Sequence, residues 1–592
     1  MQPLLHQCRP SICAFRPRQI CRRSSSIAAP SAEESVQPAS PLAAGAREHP
    51  VMKARWEEIS KGDHTLYYPR MEPGVYRACT LREIYKTWGH LEPGAVADTG
   101  DPMGEGRVQS IRKSSAKLIF MDVHSDGAVL QVVANLAVSG VEREVFTNVY
   151  ARKLKKGDIV AFTGLPGRTT SGQLSLHATE LPEILTSCLH TPPPEFLDVE
   201  KRAQSRHVDL MVNNLNLEVL QARSFIINFL RSYFLSQGFT EVSTPILAEL
   251  SGGATAKPFE TSSTVFGSDK RLQLRIAPEL WLKRLVVGGM HRIFEIGPNF
   301  RNENADLTHN PEFYSCEFYE AFTGLDRLKQ RTMELLAGLS AGIKLQQDQG
   351  SFSGISISDI DFSAPFPEID FIGGIEEAIG QKLPVLDAPD GLEQLLKLLD
   401  DAGIERPANC TLPGILDHLA STYIEPTCIR PTFVSNIPAC LSPLSKASRR
   451  SEDQQLVSHR AELYVDGKEL ANLYEEENSP FEQRRKFAQQ NAYRAAAAAA
   501  AQAAGESVEA LEEAELIAPE MPVDESYIGV LEWGLPPTGG WGIGLDRLVM
   551  LLCQVDKIGD VMSFGGLRGT VLAGRTGNKL ETEGQGEGAG DR

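Results

Sequence analysis

The 592-residue chain carries 59 Lys and Arg against 77 Asp and Glu, a formal net charge of −18 at pH 7. That length accommodates two or three domains with large cores, and a 42% hydrophobic share with 7% aromatics is ordinary for a soluble globular protein. No apolar run is long enough to span a bilayer. Ten scattered cysteines without a CxxC pair argue against a zinc ribbon or a disulfide scaffold and point to a reducing compartment. So acidic a chain would meet nucleic acid only through a local patch.

The first 32 residues hold five arginines and no acid, with Ser24-Ser25-Ser26 after Arg22-Arg23. This is the composition of an organellar transit peptide, without the apolar core of a secretory signal; a plain tail is the alternative. Mitochondrion is preferred over chloroplast, with both destinations open. Residues 1–47 are read as transit peptide and linker, and 48–104 as an N-terminal extension.

Residues 105–190 carry ten Lys and Arg against eight Asp and Glu, a slightly basic stretch in an acidic chain. The alternating runs GRVQSIR, KLIFMDVHSDGAVLQVVAN, DIVAFTGLPG and GQLSLHATEL, separated by turns such as Asp126-Gly127, predict a small β-barrel. OB-type barrels stack single-stranded bases on exposed aromatics. Phe120 and Gln131 fall on consecutive strands, although Phe120 alone reads as readily as core.

Pro192-Pro193-Pro194 opens a linker over 191–217, ahead of a larger body over 218–566. Phe225, Ile226, Phe229, Leu230, Tyr233 and Phe234 form a helical stripe ended by Gly238, and the strand-like FTEVSTPIL follows. GGATAKPFE and LRIAPELWLKRLVVGGMHRIFEIG come next. Residues 295–317, EIGPNFRNENADLTHNPEFYSCE, predict two strands joined by a polar hairpin. An adenine nucleotide needs a guanidinium for phosphate, a ring for stacking and an acceptor for its amino group. Arg301, Phe313 and Glu303 would supply them, whereas Arg301 alone reads as an ordinary surface charge. In AELYVDGKELANLYEEENSP (461–480), one strand would put Glu462 and Glu469 on opposite faces unless a bulge or turn near Gly467 intervenes. By composition this is a solvated acidic face. An alanine-rich insertion over 495–519 reads as a surface helix or linker. GGWGIGLDRLVMLL (539–552) supplies a second arginine, Arg547, and the Gly- and charge-rich tail 567–592 reads as disordered.

Together, the hairpin around Arg301 and the segment around Arg547 resemble motifs 2 and 3 of class II aminoacyl-tRNA synthetases. The helix, strand and Pro245 resemble motif 1. APELWLKRLVVGG is similar to the lysyl-tRNA synthetases in particular, where aspartyl and asparaginyl relatives carry a different string. EEENSPFEQRRKF looks closer to some mitochondrial lysyl enzymes. The likeness runs from about residue 105 to 565. It departs where DVMSFGGLRG replaces the family's proline-containing segment, and no implied site residue lies there.

The resemblance implies an α+β multidomain protein. An N-terminal OB-fold barrel would read the anticodon through Phe120 and Gln131, ahead of a six-stranded antiparallel catalytic sheet flanked by helices. It implies a homodimer built on motif 1. The implied activity is a ligase that activates lysine with ATP and transfers it to tRNA(Lys). Arg301 would hold the α-phosphate and the lysine carboxylate, and Arg547 the γ-phosphate. Phe313 would stack on adenine, with Glu303 at its amino group and His309 and Asn310 by the phosphates. Glu462 and Glu469 would hold Mg²⁺. Glu279 and the backbone of Gly253 would meet the α-amino group, and Tyr319 and Glu476 the ε-ammonium, with Glu317, Asn472 and Tyr474 shaping the pocket. Two rivals stand beside it. An aspartyl or asparaginyl synthetase would need a basic pocket in place of Glu476. A non-catalytic RNA-binding paralogue would have lost Arg301, Arg547 or the paired acids.

Overall fold

The structure, a computed structural model, describes residues 50–62, 67–70, 79–250, 252–253, 256–265, 267, 270–363, 365–504 and 523–566. The transit segment, the 505–519 part of the alanine-rich insertion and the tail from 567 lie outside the described residues.

Six strands, Met103–Ser115, Leu118–Ser125, Ala128–Asn135, Ile159–Arg168, Leu174–Ala178 and Glu183–Thr186, form the predicted barrel, closed by pairing of the first with the fourth. Period-two alternation sends Ile119, Met121 and Val123 inward. The Leu81–Trp88 helix, started by a Thr80–Glu83 capping box, adds Leu81 and Ile84 to the same core. Residues 199–212, expected within a linker, instead form two short helices, Val199–Gln204 and Arg206–Val212. Buried Asp209 ties them together by pairing with Arg202 and Arg206, and Arg202 reaches Asp560 at 3.0 Å.

The large sheet runs, in spatial order, Glu368–Asp370, Thr432–Ser435, Arg460–Val465, Lys468–Glu475, Thr538–Gly544, Glu312–Ala321, Arg292–Phe300 and Thr240–Glu241. Its six inner strands are antiparallel, as the resemblance implies. Two short strands widen it by pairing parallel at the edges, where backbone groups would otherwise be bare. The helices Asn214–Ser236 and Leu325–Asp348 cover one face. Ile226, Leu230 and Phe234 from the first meet Leu335 and Leu339 from the second over Phe294, Phe318 and Trp541. Phe318 and Trp541 stack with ring centroids 5.1 Å apart.

Alternation then decides where chemistry can sit. Cys316 and Phe318 point into that core, so Ser315, Glu317 and Tyr319 point to the opposite face, where a cleft opens. Three helices, Phe371–Ile379, Gly391–Ala402 and Leu412–Tyr423, build a second core beside the sheet edge. The described alanines of the insertion end a 25-residue helix, Pro480–Ala504, with Ala497 and Ala501 buried. Among the described residues, no helix is long and apolar enough to cross a membrane.

Candidate active site

The cleft has a volume of about 470 Å³. Gly253, Glu279, Arg301, Glu303, His309, Asn310, Phe313, Glu317, Tyr319, Glu469, Asn472, Tyr474 and Arg547 all line it. Glu462 and Glu476 do not.

Its nucleotide-like end is built on the hairpin. The strands pair in unbroken register from Arg292↔Glu320 to Phe300↔Glu312. Arg301 closes the ladder by donating its N–H to Pro311 O at 2.8 Å. Its guanidinium lies 5.0 Å from the centroid of the Phe313 ring, a cation–π contact. In the loop, Asp306 accepts from the amides of Thr308 and His309, and its Oδ2 is 2.8 Å from His309 Nδ1. Burial works to raise the Asp306 carboxyl, but these bonds hold it down at about 2. On the other side of the ring, Arg547 Nη2 donates to His309 Nε2 at 2.7 Å. An arginine only donates, so the imidazole proton belongs on Nδ1, facing Asp306. The loop and the helix Leu545–Leu552 are therefore joined by one histidine.

Asp546 fixes that helix from behind. It accepts from Tyr314 N at 2.7 Å and from Arg223 Nη1 at 2.5 Å, pinning the helix start to the strand and to Asn214–Ser236. The glycines of the neighbouring strand make room for acids. A Cβ on Gly540 would collide with Glu476 Oε1.

The paired acids sit on a tight hairpin. Asp466 and Gly467 turn with φ of 54° and 68°, the left-handed region that a two-residue turn needs. The register passes from Leu463↔Ala471 to Tyr464↔Glu469, leaving Leu470 bulged. Turn and bulge together put Glu462, Tyr464, Glu469 and Asn472 on one face. Arg460 Nη2 and Tyr464 OH hold Glu462, and Asn472 joins Arg460 (2.8 Å) to Glu469 (2.7 Å). Burial raises the Glu462 carboxyl; Arg460 opposes and Glu469 adds to the rise. Two crowded carboxylates of this kind favour a cation, and their oxygens fit a hard ion such as Mg²⁺, which takes one or two protein carboxylates alongside substrate phosphates.

The opposite end of the cleft is acidic. Glu279 opens the helix Glu279–Val287. Gly253, at φ +97°, packs so closely that a Cβ there would lie 3.1 Å from Glu279 Cβ. Tyr319 OH is 3.4 Å from Glu317 Oε2. Burial, then Glu279 and Glu295, push Glu317 up to about 8. Glu476 lies beneath this surface, 1% exposed, with Oε2 2.5 Å from Lys283 Nζ. Its Oε1 has no hydrogen-bond partner among the described residues.

On the barrel, Phe120 pairs with Val133 and Asp122 with Gln131. Because Ile119 and Met121 fill the interior, Phe120 lies on the outer face, half-buried and outside the core cluster. Gln131 shares that face but is 4% exposed, its Oε1 accepting from Ser175 Oγ at 3.0 Å.

Residues 198–568 match the family described as tRNA synthetases class II (D, K and N), and residues 105–184 match an OB-fold nucleic acid binding domain. The chain belongs to the class II tRNA synthetases. A mitochondrial lysine–tRNA ligase of Schizosaccharomyces pombe is 41% identical over 469 residues, covering 78% of this chain and 83% of the relative. A probable cytoplasmic lysine–tRNA ligase of Encephalitozoon cuniculi is 39% identical, covering 78% and 86%. A lysine–tRNA ligase of Campylobacter jejuni subsp. doylei is 36% identical, also covering 78% and 86%.

Several residues around the synthetase cleft escape a reading of the sequence. Lys283, buried behind Glu279, is the foremost; Asp546 and, from the Pro480–Ala504 helix, Phe487, Gln490 and Asn491 line the cleft. Glu475 and Glu477, for which the sequence suggests no role, are structural. Glu475 accepts from Leu325 N at 2.9 Å, capping the Leu325–Asp348 helix, and Glu477 pairs with Lys486 at 2.6 Å. The segment that departs from the family's wording touches the synthetase site after all. Within it, a Cβ on Gly566 would lie 2.9 Å from Asn310 Oδ1; just ahead of it, Ile558 lines the cleft and donates its N–H to Leu307 O at 2.8 Å.

Proposed function

We propose that this synthetase is a lysine–tRNA ligase, joining lysine to the 3′ end of tRNA(Lys) through a lysyl-adenylate. The observation that carries the reading is Glu476, a buried carboxylate under an acidic cleft whose Oε1 has no hydrogen-bond partner among the described residues. A sealed carboxylate favours a cationic side chain and repels an acidic one, which disfavours aspartate.

The reaction needs no nucleophile from the protein. A lysine carboxylate oxygen bonds to the ATP α-phosphorus as the bond to pyrophosphate breaks. The tRNA 3′-hydroxyl then attacks the lysyl carbonyl, and AMP leaves. The chain contributes alignment and charge neutralisation. Arg301 holds the α-phosphate and the lysine carboxylate, and Phe313 stacks on adenine with Glu303 at its amino group. Arg547 exchanges His309 for the γ-phosphate, leaving His309 and Asn310 beside the phosphates. Glu279 and the Gly253 backbone take the α-amino group; Tyr319 and Glu476 take the ε-ammonium; Glu317, Asn472 and Tyr474 complete the wall. Glu462 and Glu469 would hold Mg²⁺, which supplies positive charge to the ATP phosphates when bound.

Phe120 and Gln131 on the outer face of the barrel would receive the middle anticodon base. A homodimer is supported by the motif 1 region, where Ile246, Leu247 and Leu250 stand 40–49% exposed beside Pro245. The arginine-rich, acid-free start and the mitochondrial relative support organellar import, with the mitochondrion preferred over the chloroplast. Domain limits are proposed as 105–190 for the barrel and 218–566 for the catalytic body.

Amino-acid-dependent ATP–pyrophosphate exchange tests the reading. Lysine is expected to support exchange; aspartate and asparagine are not. Exchange driven by aspartate or asparagine, or by no amino acid, overturns it.

A further inference from the structure

Lys283 is the residue least expected from its surroundings. It follows Glu279 by one helical turn and has no exposed side-chain surface. A lysine taken wholly out of water persists only when it is paired. Its Nζ lies 2.5 Å from Glu279 Oε1 and 2.5 Å from Glu476 Oε2. Tyr319 and Tyr527 flank it, with ring centroids 6.0 and 5.8 Å from Nζ. Glu317 is the remaining acid facing Glu476.

The proposed function, on which this inference rests, gives Glu279 the α-amino group and Glu476 the ε-ammonium. A single internal ammonium therefore touches both acids that would grip the two ends of the substrate. It pairs with one oxygen of each and, among the described residues, leaves Glu476 Oε1 without a hydrogen-bond partner. It also fixes the separation of the two carboxylates, because both are drawn to one point.

We propose that Lys283 is a positioning residue that sets substrate length. By clamping Glu279 and Glu476 to a shared ammonium, it spaces the two carboxylates for a diamino acid with a four-carbon arm. The clamp contacts neither ATP nor tRNA in this scheme, so its loss falls on amino-acid recognition alone.

The test is steady-state ATP–pyrophosphate exchange by the full chain, with lysine and ornithine as alternative substrates. The variants are Lys283→Met, which keeps the bulk and removes the charge, and Lys283→Gln, a neutral side chain that keeps a hydrogen-bond donor and guards against failure to fold. The lysine KM is expected to rise by about tenfold or more in either folded variant, while the ATP KM stays within about twofold. The preference for lysine over ornithine in kcat/KM is expected to shrink by about fivefold or more, as the spacing relaxes. Lys283→Arg, which keeps a cation between the acids, should restore part of that preference. An unchanged lysine KM and preference overturns the proposal. So does a parallel loss of kcat with both KM values intact, or failure of both neutral variants to fold, since either marks a purely structural lysine. Wild-type protein without lysine-dependent exchange is a different result: it removes the proposed function, and the inference with it.

Discussion

A carboxylate sealed from water is costly to ionise, and among the described residues the Glu476 side chain forms its ion pair with Lys283, which offsets that cost. Glu476→Gln preserves shape and deletes the charge. Losing a buried charged hydrogen bond costs about 2–4 kcal/mol, so the lysine KM should rise by about 30- to 1000-fold with little change for ATP. An unaltered lysine KM would sink the assignment. Burial raises this carboxyl; Lys283 opposes, and Glu279 and Glu317 add to the rise. A carboxyl held above its ordinary range keeps its proton to higher pH and must release it to accept an ammonium. The lysine KM should therefore fall as pH rises through neutrality and level off once the group is ionised. A KM that climbs over that interval contradicts this. At this scale the sequence was legible where chemistry is contiguous: Arg301, Glu303, His309 and Phe313 occupy one hairpin. Lys283 was not, because Glu and Lys four apart on a helix read as a solvated surface pair. Asp546 was hidden likewise, as an acid beside the more conspicuous Arg547.

Elements decide whether distant acids meet. In a single strand Glu462 and Glu469 would face opposite ways; the Asp466-Gly467 turn sets Glu469 opposite Tyr464, on the face Glu462 shares, and the Leu470 bulge brings Asn472 to that face. The turn could be suspected from Gly467, but a bulge depends on register with a partner strand, which one strand's sequence does not carry. If these acids hold a metal for ATP, changing either to Ala should nearly abolish exchange while secondary structure and melting temperature hold. Full exchange in the double variant would reduce them to a solvated face. The same limit explains the 191–217 segment. Its prolines suggested a linker, yet Asp209 gathers Arg202 and Arg206 into helices anchored on Asp560, a partner some 350 residues away.

At the scale of the molecule, the alternating runs are enough for the barrel, whereas the six antiparallel strands of the large sheet follow from the resemblance carried by the segments around Arg301 and Arg547. The two parallel edge strands, two and three residues long, are too short to leave a pattern. A barrel separate from the catalytic sheet makes the two steps separable. Phe120 stands on the barrel's outer face rather than in its core, and a base stacked on an aromatic is worth about 1–3 kcal/mol. Phe120→Ala should weaken tRNA charging by about 5- to 150-fold and leave exchange nearly untouched. Parallel loss of both would make Phe120 a folding residue.

In the proposed scheme an acidic, Lys283-clamped pocket selects lysine for attachment to tRNA. Charging of a tRNA(Lys) transcript by the purified chain, with labelled lysine, aspartate or asparagine offered separately with ATP and Mg²⁺, tests it most directly. Acid-precipitable label is expected with lysine alone; label from aspartate or asparagine, or none from lysine while the protein is folded, overturns the scheme.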